Sequence, residues 1–175
     1  MAGRLLRRLR VRDGFPSQQR GAVAVEFALV LPLLVTLLLG TLTAGLAYSD
    51  QLSISNAVRE GSRMGAAADY TNGSWAGDVR ERVQQVYFNS ASDLTDDQVC
   101  VRLLDSSGTT LTSAIGANCG SEPPTPDNMA ADSCVIKVWV RKPARILFGV
   151  LPDAEVTLAA NSVSYYGRTV GSCTA

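Results

Sequence analysis

A 26-residue apolar run, from Ala22 to Ala47, limits what this chain can fold into more than any other feature of its sequence. The run contains one charged side chain, Glu26. As a helix it would be about 39 Å long, which is enough to cross a hydrocarbon core of about 30 Å with some tilt. The sequence therefore predicts a membrane-spanning helix.

The charges around the run predict its orientation. Six arginines and a single acid lie in the first twenty residues, and no basic residue follows the run before Arg59. Because cytoplasmic flanks carry an excess of Lys and Arg, we expect a cytoplasmic N-terminus and an exported C-terminal part. The position of the arginines directly before an apolar span explains them better than nucleic-acid binding does. No nucleic-acid partner is predicted.

Cysteine and histidine usage narrows the chemistry. The chain has no histidine, which removes Ser-His-Asp and Cys-His catalysis and His-ligated metal sites. An even number of cysteines on the exported side favours disulfides in an oxidising compartment over a zinc site, since the shortest spacing is fifteen residues. No catalytic residue, metal or cofactor is predicted. The disulfide candidates are Cys100, Cys119, Cys134 and Cys173.

Glu26 is the residue of the span that needs an explanation. A lone acid in the hydrocarbon costs about 2.5–3.5 kcal/mol on insertion scales, so such residues are functional candidates. A secretory signal peptide does not fit, because its apolar region is only about 7–15 residues long. A plain signal anchor fits the length of the run and leaves Glu26 as a merely tolerated acid.

The segment from Gln19 to Pro32, QRGAVAVEFALVLP, closely resembles the prepilin peptidase site of type IV prepilins. It is most similar to the TadE-like pseudopilins of tight-adherence (Flp-type) pili. In that family a basic leader ends in glycine, the peptidase cuts after it, and a glutamate is fifth in the mature chain. Counted from Ala22, Glu26 is fifth. The resemblance continues more loosely through 56–67 and near the end of the chain.

This resemblance implies a minor pilin or pseudopilin without enzyme activity of its own, which acts in pilus assembly with adhesion or secretion as the role of the system. Its partners would be a prepilin peptidase, other pilin subunits, the inner-membrane assembly machinery and the membrane. Processing would involve Arg20, Gly21 and Ala22, with N-methylation of Ala22. The assembly residues would be Glu26, Phe27 and Pro32.

The physical chemistry of the span agrees with that role. Cleavage creates an ammonium group at Ala22 that could pair with Glu26 of the same or a neighbouring subunit, and a buried unpaired charge is strongly penalised. Glu26 would then determine the depth at which subunits associate. Pro32 lacks a backbone N–H and crowds the preceding turn, so we expect it to bend or loosen the helix.

The helical pattern continues past the span to about residue 68. Ala57, Gly61 and Gly65 are four residues apart and therefore stack on one face of this helix. Small residues at this spacing would let another helix approach closely. Packing of the same face on the protein's own sheet is the slightly favoured alternative.

The remainder predicts a small exported domain. A short amphipathic helix is expected at 78–89 and strands at 98–105, 134–140 and 155–166, with a loop rich in Ser, Thr, Gly, Asn and Pro at 106–132. The fold class is α+β, with about three antiparallel strands packed on a long helix, which is the pilin-like plan. The expected divisions are a cleaved leader at 1–21, a membrane and assembly helix at 22–47 continuing to about 68, and a domain at 69–175.

The expected order of strands favours one disulfide pairing. In a meander, Cys134 and Cys173 lie at the same end of the sheet, and the loop that carries Cys119 can fold back to Cys100. Cys100–Cys119 with Cys134–Cys173 is therefore favoured, since a bridge requires Cα atoms within about 7 Å. A Cys119–Cys134 bridge at the base of the loop is the competing pairing.

Two further hypotheses compete with the pilin interpretation. The first is an uncleaved, signal-anchored binding or envelope protein outside the cytoplasm, which the mass of the mature N-terminus would distinguish. The second, a membrane-tethered enzyme, is weak because the sequence offers no pairing of a nucleophile with a base. The predicted location is the inner (cytoplasmic) membrane as a single-pass protein, with incorporation into an extracellular pilus as a further expectation.

Overall fold

A long N-terminal helix organises the structure. The computed structural model describes residues 17–87, 93–127, 129–147, 152, 154–169 and 173, with the backbone alone for 17–20. Helix α1, Ser17–Ala67, has 51 residues and is about 76 Å long. It runs through Pro32 without interruption, and the Thr36 hydroxyl donates a hydrogen bond to the Pro32 carbonyl (2.8 Å). Most of the predicted leader, residues 1–16, lies outside the described residues.

The second helix begins earlier than the sequence pattern predicts. Helix α2 spans Trp75–Val86, whereas the prediction was 78–89, of which 88 and 89 lie outside the described residues. Trp75 and Ala76 are both buried, and the Trp75 indole N–H donates to the Gly65 carbonyl (3.1 Å). Because this tryptophan is buried against α1, the helix begins three residues before the start that the apolar stripe predicted.

The described part of the C-terminal domain contains one antiparallel sheet. Its strands lie in the order β2-β1-β3-β4, so β1, β3 and β4 form the predicted meander and β2 is added at one edge. The α+β prediction is confirmed, with four strands where about three were expected. The strands are β1 Val99–Leu104, β2 Thr110–Ala114, β3 Val135–Ile146 and β4 Ala154–Tyr165.

Strand β2 lies inside the segment that was predicted as a structureless loop, so that prediction is wrong for 110–114. A tight turn returns the chain onto β1: the Asp105 carboxylate accepts hydrogen bonds from the backbone N–H groups of Ser107 (2.9 Å) and Thr109 (2.8 Å). Gly108 has a φ of 82°, a backbone conformation that favours glycine. The polar composition of the segment gave no sign of a strand, because the strand depends on backbone hydrogen bonds to β1 and not on an apolar pattern.

The hydrophobic core lies between the sheet and the two helices. Alternate residues of each strand point to the same face, and this face is apolar on β1 and on β3 as far as Val140. It packs on the part of α1 that follows the apolar span and on the inner face of α2. Buried members of this core include Ile54, Val58, Val79, Val83, Val99, Val101, Leu103, Ile136, Val138 and Val140.

The small-residue face of α1 packs inside the domain. Ala57 is fully buried, and Gly61 faces the Val83 side chain. A Cβ atom on Gly65 would lie 3.1 Å from both the Trp75 ring and the Val79 side chain. The face therefore contacts α2 as well as the sheet of its own chain, and it is not free for a helix of another subunit.

The segment after β2 is attached to the second face of the sheet. A disulfide joins Cys119 to Cys100 of β1, with Cα atoms 6.0 Å apart. Next to it, the Glu122 carboxylate contacts Arg102 and accepts a hydrogen bond from the buried Lys137 ammonium (2.8 Å). A long connection that is poor in apolar residues is thus held by one covalent bond and by charge pairs.

The second disulfide closes the other end of the sheet. Cys134, just before β3, is joined to Cys173 near the end of the chain, with Cα atoms 5.3 Å apart. The structure thus has the pairing that the expected strand order favoured, and no Cys119–Cys134 bridge. Cross-links of this kind stabilise a small domain by about 2–4 kcal/mol each.

The close approach of α1 and α2 predicts the effect of a single methyl group. Gly61→Ala is expected to destabilise the protein by about 1–3 kcal/mol, because the added methyl overlaps Val83 in a packed interface. Gly77→Ala, on α2 with no atom within 4 Å of the added methyl, is the control and should stabilise the helix by up to about 1 kcal/mol. Thermal unfolding in detergent measures both, and equal stability of the two variants would contradict the packing.

Candidate processing and assembly site

The predicted cleavage junction lies in an exposed part of α1. Gly21 and Ala22 are both exposed, and no atom lies within 4 Å of a Cβ atom built on Gly21. The backbone of Arg20 is helical, and its side chain lies outside the described residues. The C-terminal domain, as far as it is described, therefore leaves the junction accessible.

The helical state of the junction matters for proteolysis. A peptide bond within a helix has its N–H and C=O groups engaged in hydrogen bonds, so the helix must open locally before the bond can be cut. Glycine is about 0.8–1 kcal/mol less favourable than alanine inside a helix. Gly21 thus reduces the free energy needed to open α1 at the predicted junction.

Glu26 follows Ala22 by one helical turn. Residues four apart lie on the same helix face, and the rise between these two is about 6 Å. The Glu26 carboxylate is exposed, and in the described part of the chain it makes no ion pair or hydrogen bond. The neighbouring Phe27 is 60% exposed and Pro32 is exposed as well. The chain therefore provides an acid at the start of the span that is available to an external donor.

Over residues 21–35, α1 is an apolar rod whose side chains the described part of the chain leaves exposed. Residues 21–35 are all exposed, and Leu29 reaches 75%. Within the described residues, α1 is the one helix long and apolar enough to cross a membrane. Exposed apolar surface of this extent marks a membrane or protein interaction.

A buried charge network holds the second half of α1 to the domain. Lys142 of β3 is only 6% exposed, and its ammonium lies 3.4 Å from the Asp50 carboxylate of α1. The Tyr87 hydroxyl, at the end of α2, donates to Asp50 and accepts from Lys142. Three elements therefore meet in one hydrogen-bonded group, three residues after the apolar span ends.

An exposed ion-pair cluster connects the two helices farther along. The Glu60 carboxylate accepts hydrogen bonds from Arg63 of α1 (2.7 Å) and Arg82 of α2 (3.0 Å). Hydrogen bonds to Arg63 and then Arg82 lower the pKa of Glu60 to about 2. Glu60 therefore stays ionised at neutral pH and bridges α1 to α2.

Sequence reasoning missed the network around Lys142. The predicted strand ended at Val140, so a lysine at a position facing the core was not considered. The signal was available: continuing the alternation of Val138 and Val140 places Lys142 on the same inward face. A charge at such a position requires a buried partner.

Fold and site together define a class of protein: a small α+β domain carried by one long N-terminal helix with an exposed apolar half, an arrangement typical of membrane-anchored proteins. A family model described as TadE-like protein matches residues 21–63, which confirms the resemblance to this family. The match supports, in general terms, a protein associated with tight-adherence pili. Searches of curated proteins and of solved structures found no match.

The matched segment has a clear structural meaning. It begins at Gly21, the predicted end of the leader, and stops four residues before the end of α1, so it covers the apolar part and most of the packed half of the helix. The sheet, the disulfides and α2 lie outside it. The family likeness is thus confined to the helix.

The network around Lys142 predicts a large effect of breaking it on one side. Lys142→Met should destabilise the protein by about 3–5 kcal/mol, because it removes the cation that lies 3.4 Å from the Asp50 carboxylate in a nearly dry environment. The double variant Asp50→Asn/Lys142→Met should be more stable than that single variant. Arg63→Gln, which removes an exposed partner of Glu60, is the control and should have a much smaller effect. Thermal unfolding of the full chain in detergent checks all three, and similar losses for Lys142→Met and Arg63→Gln would contradict the role of the network.

Proposed function

We propose that this chain is a TadE-like minor pilin or pseudopilin that acts in the assembly of a tight-adherence pilus. The observation that carries the proposal is the coincidence of three features at one place. The family match begins at Gly21, and the exposed apolar part of α1 begins beside it. An accessible glutamate, Glu26, is the fifth residue of the predicted mature chain. The protein has a structural role, and adhesion or secretion belongs to the system as a whole.

The proposed topology follows from the charges and the span. The arginine-rich leader stays in the cytoplasm, residues 22–47 cross the inner membrane, and the domain that starts near residue 69 lies outside the cytoplasm. The two disulfides support this placement, since such bonds persist in oxidising compartments. Cleavage then removes residues 1–21 on the cytoplasmic side, and Ala22 becomes the methylated N-terminus.

Glu26 provides the assembly step in this proposal. After cleavage, the new ammonium group at Ala22 is one turn from the Glu26 carboxylate, and a carboxylate in the first turn also interacts favourably with the helix dipole. Within hydrocarbon, a subunit whose N-terminus reaches the Glu26 of its neighbour removes an unpaired charge from both chains. Subunits at the wrong depth cannot form this pair between chains, so the pair selects one register.

The domain contributes rigidity to this step. Contacts from Thr43 onward attach α1 to the domain, whereas residues 21–35 before them stay exposed. The free half can therefore pack laterally against other pilin subunits or the inner-membrane assembly machinery while the domain keeps its own core. The peptidase requires only the exposed start of the helix.

Processing is tested by mass. The chain expressed with an active prepilin peptidase should be recovered from membranes without its first 21 residues. Gly21→Leu should leave the precursor uncut, whereas Gly45→Leu, at another exposed glycine of the same helix, should be processed normally. A mature chain that still begins at Met1 would favour the uncleaved signal-anchored envelope protein instead.

The role of Glu26 is tested separately from insertion. Glu26→Gln and Glu26→Ala should insert at the normal level, because the span only becomes less polar. Incorporation into the pilus or its assembly complex should fall sharply, and it can be measured by co-purification with partner subunits. Glu81→Gln, on the exposed face of α2, should behave as the wild type. Normal incorporation of the Glu26 variants would show that the glutamate is merely tolerated.

A further inference from the structure

Strands β3 and β4 are longer than the rest of the sheet. Strand β1 pairs with β3 only from Val135 to Val140, and the next six residues of β3 pair with β4 alone. These residues, 141–146 and 154–159, form a two-stranded ribbon. At about 3.3 Å per residue the ribbon extends about 20 Å beyond the four-stranded sheet.

The ribbon lies along α1 and runs toward the membrane span. The Gln51 side chain donates to the Ala159 carbonyl at the sheet end of the ribbon (2.7 Å). Beyond the last pair of the ribbon, the Leu147 carbonyl lies 3.3 Å from the Thr43 hydroxyl, whose shortest hydrogen bond goes to the Leu39 carbonyl (2.8 Å). Thr43 belongs to the apolar span and precedes its last residue, Ala47, by four residues, or about 6 Å along the helix. The end of the ribbon therefore reaches the depth of the apolar segment.

The side chains at this end suit a membrane interface. Leu147 is 47% exposed, and on the adjacent helix Leu46 is 70% and Tyr48 67% exposed. Arg145 is exposed on the outer face of the ribbon and lies two residues, about 7 Å, back from Leu147. This spacing places its guanidinium near the level at which the span ends. Apolar side chains below and a long cationic side chain above are the arrangement found at bilayer surfaces.

We propose that the end of the ribbon is a second membrane contact, in which Leu147 enters the outer interface of the bilayer beside α1 and Arg145 lies at the level of the lipid phosphates. The inference rests on the proposed crossing of the membrane by residues 22–47. Its occupant is lipid because the Leu147 carbonyl lies 3.3 Å from the hydroxyl of Thr43 in the span, so the exposed surfaces of ribbon and helix are continuous. Helix and ribbon together set the tilt and rotation of the domain on the membrane.

Depth-dependent fluorescence quenching tests the proposal. All four native cysteines are in disulfides, so one introduced cysteine provides the only free thiol. The full chain is reconstituted at low density in vesicles of phosphatidylcholine and phosphatidylglycerol, with a polarity-sensitive dye on Leu147→Cys. Lipids that carry a spin-label quencher near the headgroup should remove most of its fluorescence. The dye on Ser113→Cys, on the exposed side of β2, should retain its fluorescence.

A third site separates failure of this proposal from failure of the proposed function. The dye on Leu34→Cys, in the middle of the span, should be quenched by lipids labelled deep in the acyl chain. If Leu34 is not quenched, the membrane span itself is wrong. If Leu34 is quenched and Leu147 is not, the proposed membrane contact of the ribbon is wrong. The exposed end of the ribbon would then be a contact surface for another subunit.

A second variant tests the leucine without a dye at its position. In a chain labelled at Ala154→Cys, which pairs with Ile146, shallow quenching should be strong. Adding Leu147→Asp should reduce that quenching severalfold, because a carboxylate disfavours the interface. Unchanged quenching would show that Leu147 does not hold the ribbon at the membrane.

Discussion

One helix in this protein has two different environments along its length, and the rest of the structure depends on that constraint. The first half of α1 exposes apolar side chains all around, as in Leu29, which only lipid or another apolar helix can cover. The second half is buried on one face, as in Ile54 and Val58, and forms the wall on which the domain is built. The helix changes from exposed apolar side chains to a face buried in the domain within a few residues of Asp50.

The junction between the two halves is where the structure concentrates polar chemistry. Asp50, Tyr87 and Lys142 join α1, α2 and β3 at the point where the helix leaves its apolar surroundings. A buried ion pair contributes little to the free energy of folding compared with an apolar core. Removing one of its partners is nevertheless strongly destabilising, because the other charge stays buried. Its geometric effect is to hold the exposed half of α1 in a defined direction relative to the sheet.

Much of the fold could be predicted because its signals are local. The length of the apolar run, the alternation in β1 and the stripe in α2 each require only the residues of that element. Strand β2 could not be predicted in this way, since its polar residues become a strand only by pairing with β1. The second half of β3 was missed for a similar reason, because Lys142 interrupts the apolar pattern and is stabilised by a partner 92 residues earlier in the chain.

The sequence by itself determined the apolar span and the spacing of Gly21 and Glu26, and it predicts the orientation of the span and the cleavage junction, because these depend on composition and on spacing along a single helix. Only the tertiary structure decided that the face containing Gly61 packs against α2, that Cys119 pairs with Cys100, and that the β3–β4 ribbon returns to Thr43. The physical reason is that these contacts join residues far apart in the chain. The free energy of these contacts depends on how the sheet and the helices pack, which a local sequence pattern does not predict.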